Sequence, residues 1–329
     1  MRKVVAYETR ADEFPLFQKF ARKFDLDIKY VDDVLTPETA VEAKGAEAVT
    51  ILGNYPVGAE TFMALRDAGV KYIGLRTAGY NHIDQEAAKA YGIRFSNVAY
   101  SPYCVADFAT MLILMCVRKA KQILSRVEAQ DFSVEGIQGR EMHNLTIGII
   151  GAGRIGSIVA KNLSGFGCNI IAHDTVERDE LRGILKYVSL DELLKESDVI
   201  TIHTPLFDRT YHMINQDRIA KMKDGVCIIN CSRGAVVDTD ALIAGIEAGK
   251  VGAAGIDVLE DEEGIFHYDR RTDILAHHQL AILRSFPNVI VTPHTAFYTD
   301  QAVSDMVEMA LTSLVSFMET GKSRWEIKS

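Results

Sequence analysis

The sequence has no stretch fit to cross a bilayer. Its longest apolar run, FATMLILMCV at 108–117, spans ten residues, and a membrane-spanning helix needs about 20. The opening residues, MRKVVAYETR, hold no apolar leader, so no export is expected. Basic runs are missing as well. None is longer than the two residues of Arg270-Arg271, and the net charge is -9, which argues against a nucleic-acid surface because phosphate binding needs clustered Lys and Arg. Cysteine is scarce: there are five, none in a CxxC pair, with Cys227 and Cys231 four apart and no second pair near them. That pattern predicts free, mostly buried thiols in a cytoplasmic protein, without a metal site. Internal repeats and low-complexity tracts are also lacking.

What is present is a rhythm. Short β-rich runs in the first hundred residues (KVVAY, DIKYV, AVTIL, KYIGL) alternate with amphipathic segments such as FPLFQKFARKF. A second series follows: TIGIIG, NIIAHD, DVITIH, VCIIN, AAGID and NVIVTPH. Strands alternating with helices predict βαβ units and parallel sheets, and 329 residues suit two doubly wound domains better than one. Between the series, a helix capped by Ser101 with Pro102 in its first turn is apolar nearly all round through Val117. It is predicted to be buried and to bridge the domains. A last amphipathic helix, DQAVSDMVEMALTSLVSFMET, returns the chain to the first domain. The expected division is 1–100 with 299–329, and 101–298.

Gly151, Gly153 and Gly156 form G-x-G-x-x-G directly after the strand TIGII. Such a loop needs a tight turn at the first glycine, close backbone approach to a pyrophosphate at the second, and helix–strand packing at the third. The following helix offers unpaired N–H groups and its positive end to phosphates. Asp174 ends the next strand, with seventeen residues between it and Gly156, close to the roughly 20 expected of a ribose-binding acid. Its carboxylate would accept the ribose hydroxyls and repel a 2′-phosphate, so NAD is expected rather than NADP.

Further along, Arg233, Asp257 and His294 each follow an apolar strand, and open α/β sheets bind ligands at the C-terminal ends of their strands. Arg is suited to a fork grip on a carboxylate, and His titrates in the useful range, its charged form favoured by a carboxylate partner. The acids at 260–263 supply candidates for that partner. Together these residues suit reduction of a 2-keto acid.

The motifs YIGLRTAGYNHID, NVAYSPYCVAD, GIIGAGRIGS, INCSRGAVVDTDAL, GAAGIDVLEDEEGIF and NVIVTPHTAFYT, in this order, span almost the whole chain. In them the sequence resembles the D-2-hydroxyacid dehydrogenases, most closely the D-lactate dehydrogenase branch, which includes the D-lactate-forming enzymes of vancomycin resistance. The resemblance implies a Rossmann NAD domain and a flavodoxin-like substrate domain with the active site in the cleft between them. It implies Arg233 on the substrate carboxylate and carbonyl, His294 as acid/base, and Glu262 as the partner of His294, with Glu260 and Glu263 one slip away. For NAD it points to Arg154 and Ile155 at the pyrophosphate, Asp174 at the ribose, Thr204, Pro205, Thr210, the turn through Cys231, Ser232 and Arg233, and Asp257. Substrate contacts fall to the Ala78 and Gly79 amides and Tyr100. Asn54, Tyr55, Phe297 and Tyr298 are candidates for the R-group pocket, the last two equally readable as core aromatics. The expected reaction is reversible reduction of pyruvate, or a close 2-keto acid, to the D-2-hydroxy acid by a homodimer. The alternatives are a D-2-hydroxyisocaproate or phenyllactate type of dehydrogenase and, from another class, an NAD-sensing corepressor.

Overall fold

The computed structural model describes residues 1–53 and 55–328; Asn54, a pocket candidate, lies outside them. The chain divides into two compact units, Met1–Ser101 with Tyr298–Ser329, and Pro102–Phe297.

The first unit holds five strands, β1 (Arg2–Tyr7), β2 (Leu26–Val31), β3 (Ala48–Ile51), β4 (Tyr72–Leu75) and β5 (Arg94–Ser96). They pair in parallel in the order β2-β1-β3-β4-β5, the flavodoxin-like sequence of strands. Every residue of β3 is buried, as expected of a central strand covered on both faces. One cover is the helix Asp300–Thr320: a Cβ added to Gly74 of β4 would lie 3.0 Å from Leu314 Cγ, and Phe317 stacks on Tyr72 with ring centroids 5.0 Å apart.

The second unit holds β6 (Thr146–Ile150), β7 (Asn169–His173), β8 (Lys186–Tyr187), β9 (Val199–Ile202), β10 (Val226–Asn230), β11 (Val251–Ile256) and β12 (Val289–Val291). Their order is β12-β11-β10-β9-β6-β7-β8, all parallel, a Rossmann sheet whose direction of winding reverses between β6 and β9.

The linking segment differs from the sequence expectation. Its helix starts at Tyr103, with Pro102 at the N-cap position, and the Ser101 amide donates to Asp305 Oδ2 at 3.0 Å. The helix Tyr103–Val117 belongs to the second unit, where it packs against β10, β11 and the helix Arg154–Ser164. It is buried on one face only, with Met111 40% and Tyr103 61% exposed. Lys119, at φ 53, breaks it from the helix Ala120–Glu128.

Candidate active site

The glycine loop is built as the dinucleotide motif requires. Gly151 has φ +90, and a Cβ there would lie 2.8 Å from the His203 carbonyl oxygen. A Cβ on Gly156 would come within 2.0 Å of Gly151 O, so that helix and turn touch backbone to backbone. Around Gly153 nothing lies within 4 Å of an added Cβ, and no side chain caps the helix Arg154–Ser164 that begins there. Open space in front of uncapped helix N–H groups fits a pyrophosphate, with Arg154 and Ile155 in the helix's first turn. Asp174 follows β7, one carboxylate oxygen accepting from Val176 N at 3.1 Å and Thr175 Oγ1 at 3.3 Å. Thr204 and Pro205 follow β9, and Thr204 N would be 3.1 Å from a Gly151 Cβ, which sets this loop beside the glycine turn. Thr210 is buried and staples the loop, donating to Pro205 O and accepting from Phe207 N, both at 2.7 Å.

Three loops leave the neighbouring strands β10, β11 and β12. After β10, buried Asn230 organises the turn: its Oδ1 accepts from Ser232 N (3.0 Å) and Ser232 Oγ (2.7 Å), and its Nδ2 donates to Arg233 O (2.9 Å). Cys231 is buried, and burial pushes its thiol well above the ordinary range, so it offers no nucleophile here. Gly234 next to Arg233 meets the loop from β11 directly, since a Cβ there would lie 2.1 Å from the Leu259 carbonyl carbon.

Asp257, at the end of β11, is fully buried and gathers in the loop from β12. Its Oδ1 accepts from Thr292 Oγ1 (2.6 Å) and Thr295 N (2.9 Å), its Oδ2 from Ala296 N (3.0 Å), and its own carbonyl from His294 N (2.7 Å). Those bonds hold His294 at φ 52, a left-handed conformation uncommon outside glycine. Asp257 is therefore a clamp on the histidine turn, whatever it also offers a cofactor.

Glu262 Oε1 meets His294 Nδ1 at 2.5 Å, and its Oε2 accepts from Leu259 N at 2.6 Å. Of the acids at 260–263, Glu262 is the one that reaches the histidine. Glu260 points elsewhere, to His212 and Thr239. Burial works against its ionisation, but hydrogen bonds from Thr239 and His212 outweigh it, and the carboxyl titrates below its usual range. With Nδ1 committed to a carboxylate, His294 Nε2 is the atom left to give or take a proton.

Sequence reasoning missed three contributors. Asn230 shapes the arginine turn; His267 hydrogen-bonds the His294 carbonyl through Nε2 at 2.9 Å, its ring centroid 5.8 Å from that of His294; His212 holds Glu260. Phe297 stands edge-on to both His267 and His294, at 6.0 and 6.4 Å. The only sequence signal was for Asn230, a polar residue ending an otherwise apolar strand.

In the first unit, the Ala78 carbonyl accepts from Asn97 Nδ2 (2.7 Å) and the Gly79 carbonyl from Thr77 Oγ1 (2.8 Å), which fixes that turn. Tyr100 follows in the same unit, and Tyr55 is 50% exposed. Tyr298, also 50% exposed, lies under the Arg10 guanidinium, 5.3 Å from its ring centroid.

A profile of the D-isomer specific 2-hydroxyacid dehydrogenase NAD binding domain matches residues 110–296. An aromatic 2-oxoacid reductase of Clostridium sporogenes is 46% identical over 317 residues, 96% of each chain. A D-lactate dehydrogenase of Lactobacillus delbrueckii subsp. bulgaricus is 40% identical over 332 residues, 100% of this chain and 99% of that one. Among solved structures, D-2-hydroxyisocaproate dehydrogenase superposes with a TM-score of 0.90 at 33% identity, over 99% of this chain and 100% of the other. The glycine turn, the acid after β7 and these likenesses agree: the chain belongs to the D-isomer specific 2-hydroxyacid dehydrogenases and is an NAD-binding oxidoreductase.

Proposed function

We propose that the protein reduces a 2-keto acid to its D-2-hydroxy acid, with His294 as the proton donor. The observation that carries this reading is the 2.5 Å contact between His294 Nδ1 and Glu262, on loops that leave adjacent strands. Bound NADH would supply the hydride. The protein's part is to hold the keto acid and manage charge. Arg233 grips the carboxylate, Glu262 favours the charged imidazole, and His294 Nε2 delivers a proton to the carbonyl oxygen as negative charge grows there. The glycine turn, Arg154, Ile155, Asp174, Thr204, Pro205, Thr210 and the turn at 231–233 are assigned to the cofactor. The Ala78 and Gly79 amides, Tyr100 and Tyr298 are assigned to the substrate on the family pattern.

For the R group, the 46% identity to an aromatic 2-oxoacid reductase favours an aromatic 2-keto acid. Pyruvate is the second reading, supported by the full-length likeness to a D-lactate dehydrogenase. A panel of phenylpyruvate, 2-ketoisocaproate, pyruvate and oxaloacetate, with NADH or NADPH and product chirality scored, decides between them. Turnover of any member rules out a purely sensing, corepressor-like role. Five free thiols, four of them buried, suit a reducing cytoplasm. A homodimer is proposed from the apolar side chains exposed on neighbouring helices (Tyr103, Met111, Leu124 and Val127), and sedimentation checks it.

His294→Ala should lower turnover by roughly 100- to 10,000-fold, the usual worth of general acid catalysis, while NADH still binds. Near-normal turnover would overturn the assignment.

A further inference from the structure

Two residues before Glu262, a second carboxylate is more heavily anchored than a surface turn requires. Glu260 Oε1 lies 2.6 Å from His212 Nε2, and its Oε2 accepts from Thr239 N at 2.9 Å and Thr239 Oγ1 at 2.5 Å. His277 Nε2 bonds the Glu260 carbonyl at 2.9 Å, while its Nδ1 accepts from Leu280 N, so the imidazole is neutral with the proton on Nε2. The peptide between Leu259 and Glu260 rests on Gly234, where a Cβ would intrude to 2.1 Å. Three separate segments thus converge on one residue of the turn: the one after β9, the one after β10, and the one leading into the helix His278–Ser285.

The turn needs such ties. Asp261 sits at φ 55, in the left-handed region, which costs backbone energy outside glycine even though aspartate tolerates it better than most residues. Glu262 takes its position from that same turn, because one carboxylate oxygen is fixed by the Leu259 N–H. Whatever holds residues 259 and 260 in place therefore sets the direction in which the other oxygen of Glu262 points.

We propose that Glu260 is a positioning residue: held by His212 and Thr239, it keeps Glu262 aimed at His294 without touching substrate or cofactor. The proposal rests on the acid/base reading of His294 given above. The charged and titratable groups near Glu260 are His212, with Asp238 Oδ2 3.7 Å from its Nδ1, and His277; those at His294 are Glu262 and His267.

The test is the pH profile of kcat/KM for 2-keto acid reduction in four variants of the whole enzyme. Reduction needs a charged His294, so the rate falls at high pH. Loosening Glu262 weakens the support for that charge and should move the high-pH limb to lower pH. Glu260→Ala should show this displacement together with a roughly 10- to 100-fold loss of kcat, the scale expected from misplacing a catalytic group by about an ångström. NADH affinity should hold. Glu260→Gln keeps an acceptor for Thr239 and a polar group for His212, and should recover most of the displacement. Thr239→Val, which removes one hydrogen bond, should show a smaller shift in the same direction and serves as the test if Glu260→Ala does not fold. A folded Glu260→Ala enzyme with the wild-type limb, or an unshifted Thr239→Val profile where Ala is unfolded, overturns the proposal. His294→Ala runs alongside: if it retains turnover, the acid/base reading itself fails, whatever Glu260 does.

Discussion

Each unit buries a carboxylate completely, and the two are answered in opposite ways. Glu13, in the first unit, faces Arg76, which is equally buried; Nε of Arg76 lies 2.9 Å from Glu13 Oε1, and its Nη2 donates to Tyr7 O at 2.8 Å and Glu8 O at 3.0 Å. Asp257, in the second, is answered by a threonine hydroxyl and two backbone N–H groups. An ion pair ties two distant elements together, and losing either half strands a charge in the core. A carboxylate that gathers N–H groups instead fixes the shape of one loop. The first device serves stability, and the second sets the angle at which His294 is presented.

The contrast can be broken where the effect should be largest. Arg76→Met leaves Glu13 with only the longer, 3.7 Å contact to Arg10 and should cost about 3 kcal/mol in urea unfolding, with much of the loss recovered in the double variant carrying Glu13→Leu. Unaltered stability would mean that the pair is incidental. Asp257→Asn should do the reverse, sparing most of the stability and lowering kcat/KM roughly 100-fold. Its amide would turn a donor toward an N–H group that now meets an acceptor. If the variant melts early and keeps its turnover, the two units do not differ as described.

A smaller effect sharpens the picture of the second unit. Burial pushes the His203 imidazole down to about 4, and its Nε2 lies 2.8 Å from Thr201 Oγ1. The unfolded chain takes up that proton near pH ~6.5. Between those two values the unfolded state binds more protons, so stability should decline as pH falls from about 6.5 to about 4, then level off. His203→Gln should flatten that slope in melting curves taken across the range.

How far the sequence could be read follows from where the signals lie. Strands with four or more successive apolar residues, such as β6 and β10, announce themselves. β5 and β8, three and two residues long, carry too little pattern and escaped. The break at Lys119 was also hidden, because the left-handed residue there is neither glycine nor asparagine. The glycine turn was legible because its demands are local and only glycine meets them. The choice among the acids at 260–263 was not, since neighbouring side chains on a tight turn diverge: Glu262 reaches a residue 32 positions away and Glu260 one 48 positions away. His212 and His267 act through folded-state partners that no short window of sequence contains.

The left-handed backbone at His294 has an implication for anyone who tries to toughen this protein. Asparagine and glycine sit in that conformation more comfortably than histidine does, so swapping the imidazole away should relax the loop. A library screened for heat resistance alone would drift toward such replacements and yield sturdy, inactive molecules. Selection must therefore score turnover in every round.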